Sequence, residues 1–159
     1  MKILAIGAHP DDIEIFMLGF LLACKKRGDE IFTIVATDGS KGNVTTSKDL
    51  KNIRAKETKK ALTGISNPKM LNFIDGNLSF TKNVEKTLIN NIKKINPNLI
   101  ITHAPEDYHP DHRALSNHIT NSVGFKYPII YCDTLMCVNF IPDYYIDITS
   151  FFEQKKASI

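Results

Sequence analysis

No C-x-x-C pair occurs in the chain. Its three cysteines, Cys24, Cys132 and Cys137, are odd in number and widely spaced. That argues against a disulfide framework or a thiolate zinc site and fits a reducing, cytoplasmic setting. No apolar stretch approaches the roughly 20 residues a membrane helix needs, so no membrane span is expected. The N-terminal MKILAIGAHPDD carries one lysine and a run of only five apolar or small residues before its acids, too short for the core of a signal peptide. Charge of one sign is not gathered anywhere. The formal net charge is +3 and the pI about 8.7, with Lys and Arg mixed among Asp and Glu, so no nucleic acid or anionic surface is demanded as partner. Internal repeats, low-complexity tracts and interdomain linkers are also missing, and residues 1–159 read as one domain.

What is present is alternation of two periods. ILAIG (3–7), IFTIVAT (31–37), MLNFI (70–74), NLIITH (98–103) and PIIYC (128–132) are short apolar runs of the kind buried in a parallel sheet, and YYIDI (144–148) is a further strand candidate. Between them lie helical patterns. Ile13, Phe16, Met17, Phe20, Leu21 and Cys24 share one face, and KKRG closes that helix. LKNIRAKETKKAL, with Thr46 or Ser47 as cap, VEKTLINNIKKI, a segment from about Asp111 to Ser122, and SFFEQKKASI follow. The expected fold is α/β and Rossmann-like: three layers, a mostly parallel sheet with helices on both faces. Ligands in such folds bind outside the carboxyl ends of the strands.

Two polar clusters fall at strand ends. The first holds His9, Asp11, Asp12 and Glu14, the second His103, Asp107, His109, Asp111 and His112. His9 and Asp12 lie three apart across a turn and can converge on one cation, with His112 closing the set from the other loop. A two-histidine, one-carboxylate set suits zinc or iron(II) and leaves a position open for water. Taken singly, each residue has a plainer reading: a histidine after a strand is usually just hydrogen-bonded, and Asp12 or Asp111 can be helix caps. The joint pattern favours the metal.

AHPDDIE before a helix, TDGSKG, IRAKE, DGNL, HAPEDYHPDH and NFIPDYYIDITSFFEQKKAS together resemble, in order and over essentially the whole chain, the LmbE-like (PIG-L) family of zinc-dependent N-deacetylases. The resemblance implies His9, Asp12 and His112 as metal ligands, Asp11 as general base, His109 as stabiliser of the charged intermediate, and Arg54 as a contact to the sugar or its anionic aglycone. It implies a small-molecule N-acetylated amino sugar conjugate as substrate. Asp111 is expected to orient one histidine. Asp38 and Gly39 are expected at the rim, and His118 on a helix surface.

The sequence departs from the family at Phe16 and Leu18, where small residues are common, and at Cys137, where glycine is frequent. Relatives also carry a further C-terminal part beyond the point matching Ile159. A non-catalytic metal- or sugar-binding relative is therefore the competing reading, and homo-oligomerisation is left open. A dinucleotide-binding domain is disfavoured, because carboxylates stand where G-x-G-x-x-G would cradle phosphate. Arg54 has its own plainer reading, an ion pair with Glu57 three residues on.

Overall fold

The computed structural model describes residues 1–42, 49–134 and 140–159. Thr46, Ser47 and Cys137 lie outside them. Five strands form one sheet: β1 (Lys2–Gly7), β2 (Glu30–Thr37), β3 (Lys69–Phe73), β4 (Leu99–His103) and β5 (Ile129–Cys132). All recorded pairings are parallel, in the order β3-β2-β1-β4-β5. β1 is central, and Ile3, Leu4, Ala5 and Ile6 are all fully buried, which is why its sequence shows no alternation.

Successive β1 side chains feed two cores. Ile3 and Ala5 pack with Leu18, Leu21, Leu62 and Ile65 on one face, while Leu4 and Ile6 pack with Leu88, Ile92, Leu115 and Ile119 on the other. The first face is covered by α1 (Leu18–Lys26) and the segment following α2 (Leu50–Ala61). The second is covered by α3 (Val84–Ile95) and α4 (Pro110–Val123). Each fully buried leucine or isoleucine contributes roughly 1.5–3 kcal/mol, so the two faces together anchor the sheet that carries the site.

Two expectations are corrected. The helix read from Ile13 begins as a π-helical turn, Ile13–Met17, before α1 proper. The wider turn keeps Ile13 and Met17 in the core while bending the chain around the site. Residues 144–148 form no strand. Tyr144 and Tyr145 are exposed, Ile148 sets its side chain against Gly19 of α1, and Asp147 accepts from the Thr149 amide, turning the chain into a short last helix, α5 (Phe152–Lys156). The segment thus spends its apolar residue on a helix, not on a strand neighbour.

Candidate metal centre

In the order β3-β2-β1-β4-β5 the chain reverses direction of travel between β1 and β4, and a crevice opens there at the carboxyl edge. Both polar clusters fall on it, because one follows β1 and the other follows β4. At the end of β1, Gly7 permits a tight entry: a Cβ there would stand 3.0 Å from the Asp12 Cβ. Asp11 holds φ at 100°, a region that side chains rarely occupy. Asp12 then enters the π-helical turn without capping it, and its Oδ2 instead accepts the His9 amide at 2.7 Å.

Three ligating groups meet at the crevice. His9 Nδ1 lies 3.3 Å from Asp12 Oδ2, His112 Nε2 lies 3.3 Å from Asp12 Oδ1, and the two imidazole nitrogens are 3.3 Å apart. Donors about 2.0–2.1 Å from a tetrahedral centre stand about 3.3–3.4 Å from one another, so the spacing fits one zinc-sized cation. The outward ring nitrogens face carboxylates: His9 Nε2 has Asp75 at 3.2 Å and Asp111 at 3.3 Å, and His112 Nδ1 has Asp107 at 2.9 Å. Carboxylates placed there draw the ring proton outward and leave the inward lone pair for a metal. The donor chemistry fits the group.

The same carboxylates also favour a proton on His9, which a cation at Nδ1 would displace. Burial opposes a charge on His9, but Asp111, Asp12 and Asp75 outweigh it and push its pKa up to about 11. Burial likewise favours neutral Asp12, yet His103, His112 and His9 hold its carboxyl well below the usual range. Opposite charges converge where a cation would satisfy the carboxylates.

Four of the five histidines in the chain gather here. His103 is fully buried, with Nε2 3.0 Å from Asp12 Oδ2 and 3.1 Å from the Ala8 amide. It stacks on His112 at 3.7 Å and 14°. Stacked rings point their in-plane lone pairs side by side, so His103 does not share an ion with His112; it walls the site, with Phe16 edge-on to both rings. That bulky Phe16 therefore packs behind the histidines.

His109 precedes α4, and its Nδ1 accepts the Asp111 amide at 3.2 Å. Burial, then the neighbouring His9 and His112, lower its pKa. A neutral ring, with Nδ1 accepting and the proton on Nε2, fits that contact. Asp111 does not cap its own helix, whose N-cap is His109; it accepts from the Gly76 and Leu78 amides at 2.7 and 3.1 Å and faces His9.

Arg54 of α2 departs from its plainer reading, the ion pair with Glu57. Its guanidinium donates to the Gly39 carbonyl at 3.0 Å, the Pro10 carbonyl at 2.6 Å and Asp11 Oδ2 at 2.9 Å, so among the described residues its ion-pair partner is Asp11 and not Glu57. Asp11 is half-exposed, its carboxylate turned to Arg54. Burial raises the Asp11 pKa while Arg54 opposes the rise. Asp11 and Arg54 also line a cavity of about 440 Å³ between the π-helical turn and α2. The Asp38 carboxylate accepts from the Asp75 amide. His118 is half-buried, facing Glu85 and the Leu78 carbonyl. Sequence reasoning gave Asp75 no role; its signals were its place after β3 on the same carboxyl edge and its position at the start of DGNL.

A family model described as PIG-L, GlcNAc-PI de-N-acetylase, matches residues 4–123. Diacetylchitobiose deacetylase of Thermococcus kodakarensis is 25% identical over 191 residues, spanning 99% of this chain and 67% of that protein. Among solved structures, N,N'-diacetylchitobiose deacetylase from Pyrococcus horikoshii, complexed with its inhibitor MPG, is similar with a TM-score of 0.87 and 28% identity, over 99% of this chain and 67% of that one. GalB, the 4-carboxy-2-hydroxymuconate hydratase from Pseudomonas putida, reaches a TM-score of 0.87 at 18% identity, over 99% of this chain and 76% of that one, a likeness of fold alone. No helix among the described residues is long and apolar enough to cross a membrane. The family match runs from β1 through α4, the two elements that flank the histidine and aspartate cluster, and by it the chain belongs to the PIG-L family.

Proposed function

We propose that this chain is a metal-dependent hydrolase that removes the acetyl group from an N-acetylglucosamine-type substrate. The observation that carries the reading is the triangle of His9 Nδ1, His112 Nε2 and the Asp12 carboxylate, the two nitrogens 3.3 Å apart and each 3.3 Å from a different carboxylate oxygen. These residues would hold zinc or iron(II). A cation there supplies Lewis acidity, polarising an amide carbonyl and bringing the pKa of a water toward about 7.

The rest of the chemistry belongs to side chains. Asp11 takes a proton from the attacking water and returns it to the departing amine. Its raised pKa suits both halves of that task. Arg54 holds the Asp11 carboxylate by Oδ2 and faces the adjoining cavity, where the sugar or its aglycone lodges. His109 donates Nε2–H to the carbonyl oxygen as it becomes negative, its Nδ1 being occupied by the Asp111 amide. Asp111, with Asp75, keeps the His9 ring turned. Water adds to the acetyl carbon, the C–N bond breaks, and the products are acetate and a free amino sugar.

The same fold serves a hydratase, so substrate loss alone does not identify the reaction. The test is acetate release from N,N'-diacetylchitobiose and simpler N-acetylglucosamine conjugates by zinc-loaded protein. Release that disappears in Asp11→Ala while metal content stays stoichiometric supports the reading. No acetate above that variant from any of these substrates rejects it.

A further inference from the structure

Asp107 lies in the turn between β4 and α4 and is fully buried. Its two oxygens serve two different residues: Oδ2 lies 2.9 Å from His112 Nδ1, and Oδ1 accepts the His109 amide at 2.9 Å. The turn carrying it is fixed on both sides. Its own amide donates to the Ala104 carbonyl at 3.2 Å, and Arg113 donates to the carbonyls of Asp107 and Tyr108 at 2.8 and 2.5 Å.

The packing around His112 constrains the plane of its ring but not which edge points inward. His103 stacks on one face at 3.7 Å and Phe16 meets the ring edge-on at 6.0 Å. A half-turn about Cβ–Cγ keeps the ring in that plane and presents carbon where Nε2 now faces His9 and Asp12. Stacking does not distinguish the two; an acceptor beside Nδ1–H does.

We propose that Asp107 is the positioning residue of the centre: by accepting from His112 Nδ1–H and from the His109 amide together, it selects the inward nitrogen of one histidine and places the ring of the other. This rests on the metal-dependent reading above. The dual duty makes Asp107→Asn diagnostic. A carboxylate offers two acceptors, whereas an amide offers one oxygen and a donor, so the variant leaves one of the two N–H groups unmatched.

Two measurements test it. In ¹⁵N-edited NMR of the metal-free wild-type protein, a His112 ring proton on Nδ1, slow to exchange, is expected; its absence overturns the proposal whether or not a metal binds. Zinc affinity is then read by competition with a chromophoric chelator, well below the unfolding temperature. Asp107→Asn is expected to bind zinc about 10–100-fold more weakly and to lose or shift the Nδ1–H resonance. An affinity within twofold of wild type, with that resonance unchanged, also overturns it. Should wild type itself bind neither zinc nor iron(II), the deacetylase reading fails, and the NMR arm still decides what Asp107 does. If Asp107→Asn does not fold, the wild-type resonance carries the decision.

Discussion

Arg54 reaches three acceptors, two of them backbone carbonyls and the third Asp11. The planar fork of a guanidinium can meet all three at once, whereas an ammonium is a single point of charge on a flexible stem. Arg54→Lys is therefore expected to let the Asp11 carboxylate wander. Displacing a catalytic group by about 1 Å can cost 10²-fold, so acetate release should fall by about 10–100-fold while elemental analysis still finds one metal per chain. Loss of the metal in this variant would instead make Arg54 a support of the crevice itself. The sequence made Arg54 visible as a functional candidate, but its partner was not legible. The local i, i+3 rule pointed to Glu57, and the carboxylate that holds it is 43 positions away. His9, Asp12, His112 and Asp111 were readable because strand-end clusters with ligand spacing are a joint signal. His103 ends β4 and Asp75 opens the DGNL turn after β3, positions that hydrogen-bonded loop residues also take, and only the assembled sheet edge shows that both face the cluster.

Elements were more legible than their junctions. The β1, β4 and α3 patterns hold within one residue of the observed bounds, because two-sided burial and a helical apolar stripe are written locally. The π-helical turn was not, since a single widened turn leaves the apolar spacing nearly unchanged. YYIDI was misread for a related reason: alternation describes a strand surface, and it describes equally a segment that sets one apolar residue against a helix. The observed use of that segment is Ile148 against Gly19. A Cβ at position 19 would stand 2.8 Å from two Ile148 carbons. In an unobstructed helix, alanine for glycine is worth about 1 kcal/mol of stabilisation; here overpacking should reverse the sign and leave Gly19→Ala destabilised by about 1–3 kcal/mol in urea unfolding. Trimming the opposing side chain tests the contact. Gly19→Ala with Ile148→Ala should cost clearly less than the sum of the single variants, and strict additivity would mean the two residues do not touch in solution.

At the scale of the molecule, the centre exists because the strand order brings the ends of β1 and β4 side by side, joining His9 to His112 across 103 positions. Alternation of strands and helices made a parallel sheet legible, whereas the order of strands within it is decided by which faces bury together, a property no single segment carries. The result gathers Asp12, Asp75, Asp107 and Asp111, all buried, around the imidazoles of the cluster. Folding thus assembles a concentration of negative charge that the unfolded chain disperses, and a bound cation acts on that difference. Because the unfolded chain does not hold the triangle, metal at a hundredfold excess over its Kd should stabilise the fold by about 2.7 kcal/mol. For a chain of this size that is a rise in Tm of about 5–10 °C, read by calorimetry with and without a chelator. His112→Ala removes one corner of the triangle and should leave the Tm insensitive to the chelator. A chelator effect as large in that variant as in wild type would place the stabilising ion somewhere other than the β1/β4 crevice.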